Sequence, residues 1–337
     1  MSANTIRHLL NWTRGLVRAR REKRYIPDED WRHVCRRNFI PFDRVRLTSD
    51  GGLLLHFEHT SIEFPKTPAA FRLMAGYSLL HDLEANTSCR LVWDEQKNML
   101  SLNWGNATYL ADDFEELYIL REIYFSGDYD FTPAGSTVVV DVGANVGFTS
   151  IFLADANPEL MVVACEPVPE NYAKALKNLA ANPLLSERIS FYNFGLFSED
   201  GNKTILSQVG NRVRSSIVMD RSHDAPGKTE SIPIEVRRAS SFIKEVGEMN
   251  PGRRIVIKMD CEGSEYHILR NLEADGVLGM VSGFLMEWHK LDGQDDATFI
   301  RGFLKRTGFD VCMLGRLQSK YDVGMAYAFR TATEIEN

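Results

Sequence analysis

From residue 135 onward, short apolar runs alternate with segments in which apolar residues recur every three or four positions. The runs predict strands and the helical spacing predicts amphipathic helices, an alternation typical of a parallel sheet covered by helices on both faces. The last two strands have no helix between them, so we expect them to pair antiparallel at one edge. The predicted strands are residues 138–142, 161–165, 189–196, 203–207, 232–236, 255–259, 283–288, 309–313 and 325–329, and the predicted helices are residues 148–156, 170–181, 241–248, 266–272 and 296–307.

The first third of the chain has a different pattern. Residues 115–125 have helical spacing, and before them two pairs of short apolar runs flank turn-forming residues. Such pairs indicate β-hairpins, here residues 44–47 with 53–57 and residues 89–93 with 99–104. We therefore expect a small N-terminal α+β extension over residues 26–111 and a larger α/β domain over residues 112–331.

Residues 1–25 form a basic arm. The first 50 residues contain 12 Lys and Arg against 6 Asp and Glu, although the whole chain carries a net charge of −7. Residues 5–24 combine a short apolar stripe with arginines, which is typical of a helix at a membrane surface. Because the stripe is short, we favour an arm that packs on its own domain or on a second copy of the chain, and peripheral membrane contact is the alternative. The acidic remainder argues against nucleic-acid binding, which needs a basic face.

Nothing in the sequence predicts membrane insertion or secretion. The apolar runs fall far short of the roughly 18 residues that a membrane-spanning helix needs, and Arg7 and Arg14 interrupt any apolar stretch of a signal peptide. The five cysteines are scattered without a C-x-x-C pair, so neither a zinc site nor a disulfide framework is predicted. These features favour a cytoplasmic protein with reduced thiols.

The strongest chemical signal is a glycine-rich loop between the first strand and helix of the α/β domain. Its pattern is D-x-G-x-N-x-G, formed by Asp141, Gly143, Asn145 and Gly147, and it differs from the dinucleotide fingerprint G-x-G-x-x-G. Gly143 permits a sharp turn and close approach of a ligand, and Gly147 permits tight packing of the helix on a strand. The Asp141 carboxylate would repel a phosphate and attract an ammonium or sulfonium group.

A second acidic residue supports a nucleoside ligand. Glu166 ends the next strand, 25 residues after Asp141, close to the interval of about 20 residues at which an acidic side chain binds ribose hydroxyls. A solvated loop glutamate is the alternative. A ribose-bearing ligand with a positive end and no phosphate fits S-adenosylmethionine better than NAD. Its adenine would lie at the end of the third strand, near Asn193 and Phe194.

The third signal is a cluster of charged residues after the strand at 255–259. Asp260, Glu262 and Glu265 follow Lys258 within seven residues, at the strand end where open α/β sheets place their ligands. Buried acids are costly unless they have partners, which favours a functional site. The alternative is an ion pair of Lys258 and a helix start capped by acids.

The next strand ends with Glu287 and His289, two residues apart and therefore on one face. Histidine is a natural base near neutral pH for an alcohol that must lose its proton. A histidine satisfied in the core is the alternative. Carboxylates from the two strand ends could also hold a divalent cation.

These motifs resemble the FkbM-type S-adenosylmethionine-dependent methyltransferases over residues 112–331. The resemblance rests on residues 141–147, on Glu166-Pro167 and above all on the K-x-D-x-E-G-x-E stretch at residues 258–265. Weaker matches are Glu170-Asn171, Asp200-Gly201 and Ser215-Ser216. The resemblance implies a class I methyltransferase (Rossmann-like) fold, a seven-stranded sheet with an antiparallel last strand. It also implies cofactor roles for Asp141, Gly143, Asn145, Gly147 and Glu166.

We therefore expect an S-adenosylmethionine-dependent O-methyltransferase that acts on a hydroxyl of a sugar, glycoconjugate or secondary metabolite. His289 or Asp260 would remove the hydroxyl proton, and Glu262 and Glu287 would orient the substrate or a metal. One alternative is an NAD-dependent oxidoreductase, which would need a phosphate cradle that Asp141 and Asn145 do not supply. The other is a non-catalytic scaffold of the same fold that docks to membranes through residues 5–24.

Overall fold

The computed structural model describes residues 26–133, 135–208, 211–216, 229–291, 296–315 and 323–330. The chain divides into two compact units between Arg121 and Glu122, ten residues after the boundary that the sequence pattern indicates. The predicted basic helix at residues 5–24 lies outside the described residues. None of the described helices combines the length and the apolar content that crossing a bilayer requires.

The first unit contains two antiparallel sheets of three strands each. Both predicted hairpins are present, and each gains a third strand that the sequence pattern did not reveal. The strands are β1 (Val45–Leu47), β2 (Leu53–His56), β3 (Ser61–Phe64), β4 (Arg90–Asp94), β5 (Met99–Trp104) and β6 (Ala107–Ala111), and the helices are α1 (Glu29–Arg37), α2 (Pro68–Met74), α3 (Tyr77–Asn86) and α4 (Phe114–Arg121). Helix α4, which the sequence pattern places in the larger domain, packs on α2 and α3 of this unit.

The second unit is the predicted α/β domain. It opens with a π-helical turn at Glu122–Ser126, and short 3-10 turns lie at Pro183–Leu185 and Leu278–Met280. Its helices are α5 (Phe148–Ala156), α6 (Pro169–Ala180), α7 (Ala239–Met249), α8 (Glu265–Ala274) and α9 (Ala297–Arg306). Its strands are β7 (Thr137–Val142), β8 (Met161–Cys165), β9 (Ile189–Tyr192), β10 (Gly195–Phe197), β11 (Gly201–Gln208), β12 (Asn211–Ser216), β13 (Thr229–Arg238), β14 (Arg254–Met259), β15 (Val281–His289), β16 (Asp310–Gly315) and β17 (Val323–Phe329).

Seven of these strands form the central sheet, in the order β16-β17-β15-β14-β7-β8-β9. Neighbouring strands from β15 to β9 are parallel, whereas β17 pairs antiparallel with both β15 and β16. The prediction of a seven-stranded sheet with a reversed last strand is therefore confirmed. The reversed strand lies inside the sheet, and β16 forms the edge.

The central strand β7 shows why this sequence forms a parallel sheet. All six of its residues are buried, and Val138, Val139 and Val140 supply β-branched side chains to both faces. Fully burying one such side chain contributes about 1.5–3 kcal/mol. A strand with no polar face is stable only when helices cover both sides of the sheet.

The predicted strand at residues 189–196 is wrong as a single element. The chain leaves the central sheet after Tyr192, and β10 pairs in parallel with β13 in a second sheet of order β10-β13-β11-β12. The Asn193 side chain stands at the break and donates hydrogen bonds to the backbone oxygens of Glu166 and Pro167. This long-range contact ends β9 in the middle of a continuous apolar pattern. The weaker predicted strands at 203–207 and 232–236 are present as parts of β11 and β13.

Candidate active site

The carboxyl ends of β7, β8, β14 and β15 lie along one edge of the central sheet. In the register of β7 and β14, Lys258 lies beside Asp141. The backbone N–H of Asp260, just beyond β14, donates to the backbone oxygen of Val142 at 3.1 Å. The glycine loop after β7 and the acidic stretch after β14 are therefore in direct contact.

Asp141 has a different environment from the one that its place in the motif suggests. Its side chain is fully buried, its Oδ1 lies 3.0 Å from the Lys258 ammonium, and its Oδ2 accepts a 2.6 Å hydrogen bond from Ser150. The expectation that this carboxylate faces the cation of a ligand is corrected, because Lys258 already neutralises it. Lys258 also donates to the backbone oxygen of Gly143 at 3.0 Å, so the pair fixes the glycine loop.

The Lys258 ammonium stays charged in this buried setting. Burial by itself lowers the pKa of Lys258, but the carboxylates of Asp141 and Asp260 outweigh burial and raise the pKa above its ordinary value. A buried ion pair of this kind is costly to break, because removing one partner leaves an uncompensated charge.

The two loop glycines are required by packing. Gly143 has a φ of +79°, and a Cβ atom there would overlap the backbone oxygen of Asp260. Its lack of a side chain thus admits the end of β14. At Gly147, with a φ of +81°, a Cβ atom would lie 2.8 Å from the Phe191 ring and 3.2 Å from Ala175, which agrees with tight packing of a helix on a strand.

Asn145 and Glu166 are in direct contact at the carboxyl ends of β7 and β8, and we call the space beside them the crevice. The backbone N–H of Asn145 donates to Glu166 Oε2 at 2.8 Å, and the backbone N–H of Val168 donates to Glu166 Oε1 at 2.9 Å. Asn145 has a φ of 51°, and its Oδ1 is buried with no hydrogen-bond partner among the described residues. Such an orphaned acceptor suggests a missing donor from a ligand.

Glu166 keeps hydrogen-bonding capacity for a ligand. Burial raises the pKa of Glu166 to about 7, although the backbone N–H groups of Val168 and Asn145 act in the opposite direction. The carboxylate has about four lone-pair sites, and the backbone N–H groups of Asn145 and Val168 and the side chain of Asn171 use three of them. One hydroxyl donor of a ligand would use the remaining site.

The two residues proposed for adenine have different environments. Asn193 is exposed at the rim, where it ties β9 to the end of β8. Phe194 is buried in the hydrophobic core, with its ring edge-on to Phe242 at a centroid distance of 5.1 Å. The assignment of Phe194 to the cofactor is corrected, because its ring is part of the hydrophobic core.

An acidic edge, formed by Asp260, Glu262, Glu265, Glu287 and His289, lies beyond β14 and β15. Asp260 and Glu262 are partly exposed, whereas Glu265 is completely buried. His289 Nδ1 lies 3.1 Å from Glu265 Oε1, and His289 Nε2 lies 3.4 Å from Glu262 Oε2. The structure thus brings together predicted residues from the ends of two strands, and Glu262 and His289 are 27 positions apart in sequence.

His289 is unsuited to act as a base in this arrangement. Burial by itself lowers the pKa of His289, but the negative charges of Glu262, Glu265 and Asp260 outweigh it and raise the pKa to about 10. A protonated imidazole has no free lone pair with which to take a proton. The hypothesis that His289 is the general base is therefore corrected, and Asp260 is left as the predicted candidate.

Sequence reasoning missed Tyr129. This side chain is buried, and the Lys258 ammonium lies 5.4 Å from the centre of its ring. Burial raises the pKa of Tyr129 well above its ordinary value, and the nearby charges of Asp260 and Glu287 raise it further. Tyr129 lies in a turn before β7, outside every motif and periodic segment, so no sequence signal marks it as a site residue.

Within the described residues, one group of side chains has the chemistry and spacing of a metal site. Asp260, Glu262 and His289 each offer one ligand atom, and these atoms lie within 4.8 Å of one another. Glu287 is buried at the same edge, but it does not belong to this group. The acidic edge can therefore receive either a hydroxylated substrate or a cation.

Comparison with known proteins relates this chain to methyltransferases. The family model described as the methyltransferase FkbM domain matches residues 141–311. Methyltransferase sdnD of Sordaria araneosa is 26% identical over 189 residues, which cover 50% of this chain and 73% of that protein. Methyltransferase 1 of Beauveria bassiana is 24% identical over 230 residues, which cover 60% of this chain and 89% of that protein.

Solved structures include similar chains as well. The crystal structure of methyltransferase FkbM from Methylobacillus flagellatus KT has a TM-score of 0.40 and 17% identity. That similarity covers 64% of this chain and 50% of the solved chain.

The family match begins at Asp141 and includes the glycine loop, Glu166 and the acidic edge. The resemblance drawn from these motifs is confirmed, and the oxidoreductase and non-catalytic scaffold interpretations are set aside. The chain belongs to the FkbM family and is a methyltransferase.

Proposed function

We propose that the protein transfers a methyl group from S-adenosylmethionine to a hydroxyl oxygen of a small acceptor, a sugar, glycoconjugate or secondary metabolite. One observation carries the cofactor half of this proposal. Asn145 Oδ1 is a buried acceptor without a partner among the described residues, and it adjoins the Glu166 carboxylate, which keeps room for one further hydrogen bond. The ribose hydroxyls and the ammonium group of S-adenosylmethionine are donors of the required kind.

Different residues of the crevice would bind different parts of the cofactor. Glu166 would accept a hydrogen bond from a ribose hydroxyl, and Asn145 Oδ1 would accept one from the amino-acid end. Asn193 at the rim would contact the base. Gly143 and Gly147 shape the loop, and Asp141 positions it through Lys258. When bound, S-adenosylmethionine supplies an electrophilic methyl group on a sulfonium centre.

The acidic edge supports an acceptor that carries hydroxyl groups. Asp260 and Glu262 are partly exposed carboxylates, and hydroxyl donors form strong hydrogen bonds with charged acceptors. Asp260 adjoins the glycine loop through the contact with Gly143, so it is the carboxylate best situated to take the hydroxyl proton as the oxygen becomes nucleophilic. The remaining contribution is positioning of the two substrates.

Calorimetry with S-adenosylhomocysteine tests the cofactor half. Because a hydrogen bond to a charged group contributes about 1.5–3 kcal/mol, Glu166→Gln should weaken binding at least about tenfold. Glu187→Gln, which changes an exposed carboxylate of the same unit, serves as the matched control and should bind like the wild type. Failure of the wild-type protein to bind S-adenosylhomocysteine would refute the proposal.

Methyl transfer tests the acceptor half. Radiolabelled S-adenosylmethionine is supplied with a panel of sugars and hydroxylated metabolites, each paired with its deoxy analogue. The label should enter acceptors only when the hydroxyl is present, and Asp260→Asn should slow the transfer. Label that enters amines or thiols in preference to hydroxyls would contradict O-methylation.

A further inference from the structure

We propose that Asp260, Glu262 and His289 bind a divalent cation that holds the acceptor hydroxyl. The binding of the cation follows from the geometry and chemistry of these three side chains. Its role in holding the hydroxyl rests on the proposed function.

The ligand atoms have the separation that one ion requires. His289 Nε2 and Glu262 Oε2 are 3.4 Å apart, and one oxygen of Asp260 completes a group within 4.8 Å. Two ligand atoms that lie about 2.1 Å from one ion at a near-tetrahedral angle are about 3.4 Å apart. A small movement of Asp260 would suffice to close the site.

A residue outside this set orients the histidine. Glu265, the first residue of α8, is completely buried and contacts His289 Nδ1 at 3.1 Å. The Tyr266 hydroxyl also donates to the backbone oxygen of His289 at 2.8 Å. With Nδ1 occupied, Nε2 is turned toward Glu262, and a cation that binds there would displace the Nε2 proton and use the freed lone pair. A carboxylate on the outer nitrogen of a histidine is the arrangement that orients metal-ligating histidines.

The local charge balance also favours a cation. Asp260, Glu262, Glu265 and Glu287 place four carboxylates at one edge, and Glu265 Oε2 is buried with no hydrogen-bond partner among the described residues. The nearby Lys258 is already engaged with Asp141 and Gly143. With His289 in its neutral, metal-binding form, these carboxylates would attract a divalent ion.

The donor set indicates the class of metal. Ca²⁺ and Mg²⁺ prefer oxygen ligands alone, whereas two carboxylates with one imidazole suit Mn²⁺, Fe²⁺ or Zn²⁺. Because Asp260 and Glu262 are partly exposed, the ion would keep open positions for an acceptor oxygen. A bound cation makes a hydroxyl more acidic, and the second oxygen of Asp260 stays available to take its proton.

Titration of the chelator-treated full chain with Mn²⁺, followed by electron paramagnetic resonance, tests the site without any turnover. The wild type should bind one Mn²⁺, and the nitrogen nuclei of a coordinated imidazole should modulate its electron spin echo. His289→Gln should abolish this nitrogen modulation. Glu262→Gln should weaken Mn²⁺ binding at least about tenfold, and Glu265→Gln about 10- to 100-fold. Glu187→Gln should leave the binding of Mn²⁺ unchanged.

Binding of S-adenosylhomocysteine by the same samples separates the two proposals and reports folding. Glu262→Gln should still bind S-adenosylhomocysteine while losing Mn²⁺ affinity. A wild-type protein that binds S-adenosylhomocysteine but neither Mn²⁺ nor Zn²⁺ would overturn the metal site alone. A protein that binds Mn²⁺ with nitrogen modulation but no S-adenosylhomocysteine would support the metal site and refute the proposed function.

Discussion

Lys258→Met is the substitution that best tests the organisation of this site. The variant keeps a long apolar side chain but removes the ammonium that lies 3.0 Å from Asp141. Asp141 is completely buried and, among the residues that the structure describes, would keep the side-chain hydrogen bond from Ser150. Breaking a buried pair by removing one partner costs about 3–5 kcal/mol, so we expect a large loss of local stability in the central sheet.

Hydrogen exchange measured by mass spectrometry gives this loss for the central sheet itself, independently of the first unit. Peptides that span β7 and β14 should exchange at least about a hundredfold faster in Lys258→Met, since each 1.4 kcal/mol corresponds to about a factor of ten. Adding Asp141→Asn to Lys258→Met removes the uncompensated charge and should restore most of the protection. The double variant is therefore the decisive comparison.

A surface ion pair of the same unit provides the matched control. Arg306 and Glu273 are 2.7 Å apart, but both side chains are largely exposed. Exposed pairs contribute about 0–1 kcal/mol, so Arg306→Met should change exchange in β7 and β14 little. If Lys258→Met behaves like Arg306→Met, or if the two substitutions at Lys258 and Asp141 are simply additive, the buried pair does not organise the loop as described.

Two further predictions concern the cofactor crevice. Gly143→Ala should lower both stability and S-adenosylhomocysteine affinity, because a left-handed backbone costs a non-glycine residue about 1–2 kcal/mol and the new methyl group would overlap the backbone oxygen of Asp260. Thermal unfolding measures the loss of stability, and calorimetry measures the loss of affinity. Gly135→Ala, which has open space around it, is the control for the backbone cost. S-adenosylhomocysteine affinity should rise with pH, because the pKa of Glu166 is about 7 and ribose hydroxyls favour its ionised form. The rise should be about tenfold between about pH 6 and about pH 8. It should vanish in Glu166→Gln, and a flat profile in the wild type would mean that Glu166 is not the ribose acceptor.

The larger unit was predictable because its local patterns agree with its topology. Strands such as β7 are apolar throughout, and helices such as α5 follow at once with helical spacing, so period and length identify both elements. The boundary at Asn193 was not predictable, since a hydrogen bond to the backbone of Glu166, 27 residues away, decides it. Local pattern carries no information about such a contact.

In the smaller unit, local sequence pattern identifies the strands less well. Strand β3 has only four residues, too few for a clear alternation, so its place beside β2 depends on packing. Helix α2 is preceded by the capping residue Thr67 and begins with Pro68, which are recognisable signals for a helix start. That helix could have been predicted from its cap.

The sequence predicted where the site residues lie better than it predicted what each of them does. Parallel strands bring their carboxyl ends to one edge, so Asp260 and His289 could be placed together from the order of elements. Their roles depend on partners from elsewhere in the fold. Asp141 acquires Lys258 from a strand 117 residues later, and His289 acquires Glu265 from the start of α8. These ion pairs decide which charged side chains remain available to a ligand. The spacing of residues in the sequence does not predict them.

The contact between β14 and the glycine loop explains why these roles are linked. The backbone N–H of Asp260 donates to Val142, its backbone oxygen occupies the space beside Gly143, and Lys258 donates to Gly143 from the same strand. The loop proposed to hold the cofactor and the edge proposed to hold the acceptor are thus two sides of one junction. Because the glycine loop and the acidic edge both contact the end of β14, a shift of β14 would move the loop and the edge together. The distance between the two substrates therefore depends on this junction more than on either loop alone.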